Sequence, residues 1–185
     1  MKRTGAHLGA AKIAVVGGCG TGRTTMVRSV SEIRPLHTEE AISGGIPPAR
    51  TPGKTATTVA LDFGRIALGD ELVLYLFGTP GQERFRFLWD RLLDGACGAV
   101  VLVDTRAVGE ARYAVELLRR HGTPFIVAVN DFGGPFRAEE EIRRGLSLPE
   151  DVPLVEFDAR DHSSCKFVLI ALLEHLGTAA PHSAV

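Results

Sequence analysis

Lys12-Ile13-Ala14-Val15-Val16-Gly17-Gly18-Cys19-Gly20-Thr21-Gly22-Arg23-Thr24-Thr25 is the stretch whose reading decides the fold. An apolar run enters a glycine-rich loop, and the loop opens a helix through Thr24, Thr25, Met26 and Val27. Gly17 to Thr24 reads G-x-x-x-x-G-R-T, one residue from the phosphate-binding pattern G-x-x-x-x-G-K-[ST]. Glycines let backbone N–H groups turn inward around an anion, and the helix adds unpaired N-terminal donors and its dipole. Thr24 stands where a hydroxyl would ligate the magnesium of a bound nucleotide. Arg23 keeps the charge of the usual lysine but brings a planar fork in place of a compact ammonium. The expectation is a loop that attracts phosphate with a rearranged hold on the terminal groups.

Around this motif, 185 residues that are 45% hydrophobic and 23% charged suit one globular domain with a full core. A net charge of −1 offers no general electrostatic reason to bind nucleic acid. Cys19, Cys97 and Cys165 are far apart and form no C-x-x-C pair, which suits a reduced compartment rather than a disulfide scaffold or zinc site. No apolar run is long enough to span a bilayer, and no signal or lipidation motif is evident. The expected location is cytoplasmic, with any membrane visit made through a partner. No internal repeat is found at solenoid periods.

Residues 1–11 read as a loose lead-in, 12–176 as the domain and 177–185 as a tail. The first strand is expected from Lys12 to Gly17 and the first helix from Gly22 to Ile33, stopped by Pro35. From 35 to 56 the chain holds Pro35, Gly44, Gly45, Pro47, Pro48, Pro52 and Gly53, too many punctuators for a long regular element. Gly53-Lys54-Thr55 mimics the end of a phosphate loop but has Pro48 at the first glycine position and no preceding strand. Thr57 to Leu68 alternates as a strand, Gly69-Asp70 is a two-residue turn, and Glu71 to Phe77 returns as an almost unbroken apolar strand. A helical pattern runs from about Gln82 to Leu93. Strands at Gly98–Asp104, Phe125–Asn130 and Leu154–Ala159 alternate with helices at Ala107–His121, Glu139–Leu146 and Ser163–Leu176, the last capped by Ser163. Such alternation implies a doubly wound, mostly parallel six-stranded sheet with one antiparallel edge strand and helices on both faces. Ligands then sit at the carboxyl ends of the strands, where Gly17, Gly78, Asp104, Asn130 and Asp158 fall.

With the phosphate loop, Thr79-Pro80-Gly81-Gln82-Glu83-Arg84-Phe85 and the strand-end Asn130 in this order, the chain resembles Ras-like small GTPases of the P-loop NTPase class. It is most similar to the bacterial branch containing MglA and the small GTPases of actinobacterial conservon operons. Lys54-Thr55 through Thr58, Asp62 to Ile66, Phe77 to Gln82 and Val101 to Arg106 carry most of the likeness. The resemblance implies GTP or GDP and Mg²⁺ as ligands, with Gly17, Gly18, Cys19, Gly20, Thr21, Gly22, Arg23, Thr24 and Thr25 as the phosphate loop. It implies Thr24 and Thr58 as metal ligands, the N–H of Gly81 on the γ-phosphate, and Gln82 orienting the attacking water. Asn130, Asp158, Ala159 and Arg160 are implied to hold the base, the backbone N–H of Ala159 meeting its oxygen.

The chain departs from the family pattern at three places. Arg23 is one. Gly78 stands where most small GTPases carry an aspartate that holds the magnesium water shell, so the metal is expected to lose a carboxylate. Asn-Lys-x-Asp, which reads guanine, stands here as Asn130-Asp131-Phe132-Gly133, without the packing lysine and the base-pairing aspartate. A signalling switch with slow or absent hydrolysis is one reading; the alternative is a degenerate interaction module with weak or no nucleotide binding. A P-loop kinase or ATPase fits less well, because Thr-Pro-Gly-Gln is a switch signature.

In the Gln82–Leu93 segment, helical spacing puts Phe85, Leu88, Trp89 and Leu92 on one stripe and leaves Phe87 as apolar surplus. The resemblance supplies a candidate partner, a Roadblock-type regulator docking across Thr58 and this segment, within a sensor-kinase-containing signalling complex.

Overall fold

The computed structural model of the chain describes residues 9–34, 36–43, 56–133 and 137–179. Residues 1–8 of the lead-in, the Gly53-Lys54-Thr55 segment and the tail from 180 lie outside them. Strand β1 (Gly9–Gly17) feeds the glycine loop and helix α1 (Arg23–Val30). Strands β2 (Leu36–Ser43), β3 (Ala56–Leu68) and β4 (Leu72–Gly78) follow. A 3₁₀ turn at Glu83–Leu88 leads into α2 (Trp89–Leu93). Beyond it come β5 (Gly98–Asp104), a 3₁₀ turn at Val108–Ala111, α3 (Arg112–His121), β6 (Phe125–Asn130), α4 (Glu139–Leu146), β7 (Leu154–Phe157) and α5 (His162–Ala179).

These strands form one sheet in the order β2-β3-β4-β1-β5-β6-β7. β1 lies between two parallel neighbours, Ile13 pairing with Leu76 of β4 on one side and with Gly98 of β5 on the other. Alternate residues of this central strand therefore enter different layers. Ile13 and Val15 pack with Met26 and Val27 of α1 and Val168 and Leu172 of α5. Ala14 and Val16 face Trp89, Leu93, Leu118 and Ile142 from α2, α3 and α4. Continuous apolar strands are thus covered on both faces, as parallel sheets require. Truncating the fully buried Ile13 to alanine would cost about 2–5 kcal/mol.

The six strands read from the sequence are present, with β3 running antiparallel to its neighbours. A seventh, β2, lies outside β3, so β3 is second from the edge rather than at it. β2 occupies part of the stretch expected to hold no long regular element. Its eight residues lie between Pro35 and Gly44 and contain neither glycine nor proline; the punctuators cluster after it. The β3–β4 connection is one residue longer than read, because Leu68 pairs with Leu72 and leaves Gly69, Asp70 and Glu71 in the loop.

Two helix ends also differ from the sequence reading. α1 stops at Val30 because Ser31 turns extended and its hydroxyl donates to the Ile33 carbonyl while accepting from the Arg65 N–H. Those bonds divert the chain onto β3 before Pro35 is reached. α5 is capped by Asp161 rather than Ser163: the Asp161 carboxylate accepts the Ser164 N–H at 2.6 Å.

Candidate functional site

The parallel strands β1, β4, β5, β6 and β7 end on one edge of the sheet, bringing Gly17, Gly78, Asp104, Asn130 and Phe157 together. Above β1 the glycine loop turns into α1, whose first intrahelical bond runs from the Met26 N–H to the Gly22 carbonyl. The earlier amides of that turn remain as donors for an anion, and no acidic side chain occupies the first turn. Gly22 has φ 97°, and a Cβ there would overlap Asn130 Nδ2 and come within 3.2 Å of Ala159 Cβ. Only glycine satisfies both the left-handed backbone and that close approach.

Asn130 is buried, and both ends of its amide are used. Nδ2 donates to the Thr21 carbonyl at 3.1 Å, and Oδ1 accepts the Ala159 N–H at 3.0 Å. It therefore fixes the phosphate loop against the loop after β7. The Ala159 N–H, the donor the resemblance assigns to a base oxygen, is directed at Asn130 Oδ1 in this structure. Ser29 of α1 donates to the Ala159 carbonyl at 2.6 Å, a second tie across the same gap. Asp158 and Arg160 pair through two oxygens, and the Arg160 side chain and backbone N–H hold the Asp158 carboxyl at about 2.

Beside these residues is a cavity of about 210 Å³ lined by Gly22, Thr25, Asn130, Asp131, Phe132 and Arg160 among others. It is smaller than the roughly 300–1,000 Å³ of whole-ligand sites and suits one part of a ligand. Phe132 is braced from outside by Arg106, 4.6 Å from its ring centre, which is itself held bidentately by Asp104. The Asp131 carboxylate turns back to accept the Gly133 N–H at 2.7 Å. That bond draws on the carboxylate nearest the position of the missing base reader.

On the opposite side the loop meets the segment after β4. The Arg23 guanidinium donates to the Thr79 carbonyl and lies 3.4 Å from the Thr79 hydroxyl, while its Nε has no hydrogen-bond partner among the described residues. Burial pulls the Arg23 pKa down, opposed by the charges of Asp62 and Cys19. Gly81 comes so close that a Cβ there would overlap Arg23 Nη2 and approach Cys19 Cα to 3.2 Å. Trp89 secures this segment by donating its indole N–H to the Pro80 carbonyl at 3.0 Å. Gln82 is exposed, its side-chain oxygen accepting from Arg84 Nε at 2.8 Å.

The segment after Gln82 is not one α-helix. Its first turn is 3₁₀, so the buried side is formed by Phe85, Trp89 and Leu93, while Leu88 and Leu92 of the expected stripe are half-buried. Phe87 is 51% exposed.

Thr58 lies within β3 opposite Ala41, four residues before Asp62, so about 13 Å of extended chain separates the two. Asp62 is the β3 residue whose side chain meets Thr24. The Thr24 hydroxyl donates to Asp62 Oδ2 at 2.6 Å, and Asp62 is 9% exposed. In sequence, Asp62 stands out only as the first residue of the Asp62–Ile66 stretch that carries part of the family likeness. Counting back from the hairpin could have found it, since Asp62 pairs with Gly78, six residues either side of Leu68 and Leu72.

Thr24 and Asp62 offer hard oxygen donors at the mouth of the phosphate loop, the chemistry that a magnesium ion accompanying phosphates uses. When bound, such an ion neutralises charge on the terminal phosphates. To such a ligand the chain would offer the unbonded first-turn amides of α1 and the cavity beside Asn130. Among the described residues no helix is long and apolar enough to cross a membrane.

The fold is similar to that of the G domain of the FeoB iron transporter of T. maritima. The TM-score is 0.64 at 16% identity, over 90% of this chain and 98% of that one. In sequence the chain is 27% identical to the uncharacterized protein MJ1339 of Methanocaldococcus jannaschii over 122 residues, which are 64% of this chain and 68% of that protein. Residues 15–179, from β1 to the end of α5, match the family described as conserved hypothetical ATP binding protein, and with its phosphate loop and G-domain fold the chain belongs to that family of P-loop nucleotide-binding proteins.

Proposed function

We propose that the chain is a small-GTPase-like signalling switch akin to the MglA and conservon branch, binding GTP or GDP with Mg²⁺ and hydrolysing slowly. The observation that carries this reading is the bond from Arg23 to Thr79. It ties the phosphate loop to the segment containing Gly81 and Gln82, so a phosphate that attracts Arg23 must loosen that segment. A ligand shifts a conformation only through such differential contacts. Slow turnover follows from Gln82, which is exposed and held by Arg84 rather than aimed at the loop. Weak discrimination between guanine and adenine follows from Gly133 and from the engagement of the Asp131 carboxylate by the Gly133 N–H. The proposed setting is cytoplasmic, with a Roadblock-type regulator on the switch surface and a sensor-kinase-containing complex recruiting the pair to the membrane.

The test is to denature the purified chain, identify any released nucleotide by chromatography, and titrate the emptied protein with GTP, GDP and ATP. Saturable binding of GTP and GDP is expected, with ATP close behind. Failure of every nucleotide to bind would overturn the switch reading. One observation favours a second reading, an interaction module that binds nucleotide weakly: the guanidinium that should meet phosphate is already engaged by backbone.

A further inference from the structure

We propose that Asp62 supplies the carboxylate that faces the metal of the bound nucleotide, from β3 rather than from the end of β4. This rests on the nucleotide-binding reading above and concerns the residue that makes it metal-dependent. P-loop sites hold magnesium between the loop hydroxyl and a carboxylate at the end of a neighbouring strand. β4 ends in Gly78 and offers none. Asp62 is its direct antiparallel partner.

Three observations place Asp62 in that role. Its carboxylate accepts the Thr24 hydroxyl at 2.6 Å, so the two oxygens already share the corner where the loop becomes α1. Next, the Gly78 and Asp62 positions compete for one volume. A Cβ on Gly78 would lie 2.9 Å from Asp62 Cβ and 3.2 Å from Asp62 Oδ2, closer than packed side chains tolerate. A carboxylate therefore fits from one strand or the other, and glycine opposite Asp62 is what makes its room. Third, the carboxylate is nearly buried, at 9% exposed, where it needs a close polar or cationic partner to stay ionised. A cation replacing the Thr24 hydroxyl proton as the partner of Oδ2 would keep the carboxylate satisfied. One carboxylate suffices, since magnesium takes most of its remaining ligands from phosphates and water.

The substitution at Gly78 is thus a transfer of the carboxylate across one strand pair, not its loss. The expectation of a metal site short of one carboxylate is replaced by a site with that group rooted on β3. β3 also carries Thr58, so a shift of this strand would move both groups together.

The experiment uses the full chain and fluorescent N-methylanthraniloyl derivatives of GTP and ATP, titrated in Mg²⁺ and in EDTA, with Mn²⁺ electron paramagnetic resonance as a direct readout of the ion. The wild-type chain should bind more tightly in Mg²⁺. Asp62→Asn keeps the size and the Thr24 contact but removes the charge. It should retain affinity in EDTA and lose the Mg²⁺ enhancement by about ten- to hundredfold. The exchange Asp62→Gly with Gly78→Asp should restore the enhancement and the Mn²⁺ signal, and it decides the matter if Asp62→Asn fails to fold. An unchanged Mg²⁺ enhancement in Asp62→Asn, no Mg²⁺ dependence in the wild type, or no rescue by the exchange overturns the assignment to Asp62. Absence of nucleotide binding by the wild type in either buffer overturns the nucleotide reading itself, and this assignment with it.

Discussion

Arg23 donates its guanidinium to the carbonyl of Thr79, two residues before the glycine expected to contact a terminal phosphate. The contact joins the start of α1 to the end of β4 across the mouth of the site. A lysine in the loop would offer a point charge able to reach between phosphates, whereas the planar fork fits a carbonyl beside it.

Arg23→Lys should therefore free the Thr79 carbonyl and tighten triphosphate binding by about tenfold or more, the order of one charge-assisted hydrogen bond. Calorimetric titration of both proteins checks this. An unchanged or weaker dissociation constant would show that the fork is no obstacle.

Base selectivity should be low in the wild-type chain, with GTP preferred to ATP by less than about tenfold. The argument is that the polar groups able to reject adenine by up to ~10⁴-fold are missing. Gly133→Asp should raise the preference to about a hundredfold or more. A Cβ at Gly133 meets nothing within 4 Å among the described residues, and its φ of 71° is a conformation aspartate tolerates better than most residues. Competition binding with both nucleotides on one preparation gives the ratio.

Half-exposed Phe87 stands in the Gln82–Leu93 segment while Phe85 and Trp89 either side of it are buried. Phe87→Glu should abolish binding of a Roadblock-type regulator and change stability by no more than about 0.5 kcal/mol, as for an ordinary surface position. Pull-down with the purified regulator and a thermal melt read the two effects separately. Unfolding by this substitution would place Phe87 in the core and remove the basis for the interface.

The clasp between Asp158 and Arg160 sets an acid limit on the loop after β7. Arg160 holds the Asp158 carboxyl at about 2, below its ordinary 3.8. A carboxyl lowered on folding adds stability above the unfolded value, and the contribution fades as pH falls from 3.8 through about 2. Carboxyl ¹³C titration should show Asp158 changing at about 2, and in Arg160→Ala moving back towards 3.8. A normal midpoint in the wild type would mean that the pair is open in solution.

Much of the framework was legible in the residues themselves. Ile13 to Val16, Val100 to Val103 and Ile126 to Val129 are unbroken apolar runs, and only strands covered on both faces bury such runs completely. Glycines at 17, 18, 20 and 22 between a strand and a helix leave a turn of bare amides, so the phosphate loop was readable without coordinates. Asn130 was readable too, as a polar residue closing a buried strand.

Other features depend on which backbone lies beside which, and side-chain periodicity does not encode that. β2, Leu-His-Thr-Glu-Glu-Ala-Ile-Ser, has no strong strand pattern and becomes a strand by hydrogen bonding to β3. The end of α1 was set by Ser31 reaching Arg65, 34 residues on. Arg23 was visible as a departure from the motif, but its direction depends on where the Thr79 carbonyl falls. Asp62 is the sharpest case: alone it is one acidic residue in an alternating strand. The hairpin register that sets it opposite Gly78, and the sheet order that sets β4 beside β1, carry its carboxylate to Thr24. Local sequence determined the elements because burial acts residue by residue; the tertiary pairing alone decided which charges share the site, because a register joins residues that the chain keeps far apart.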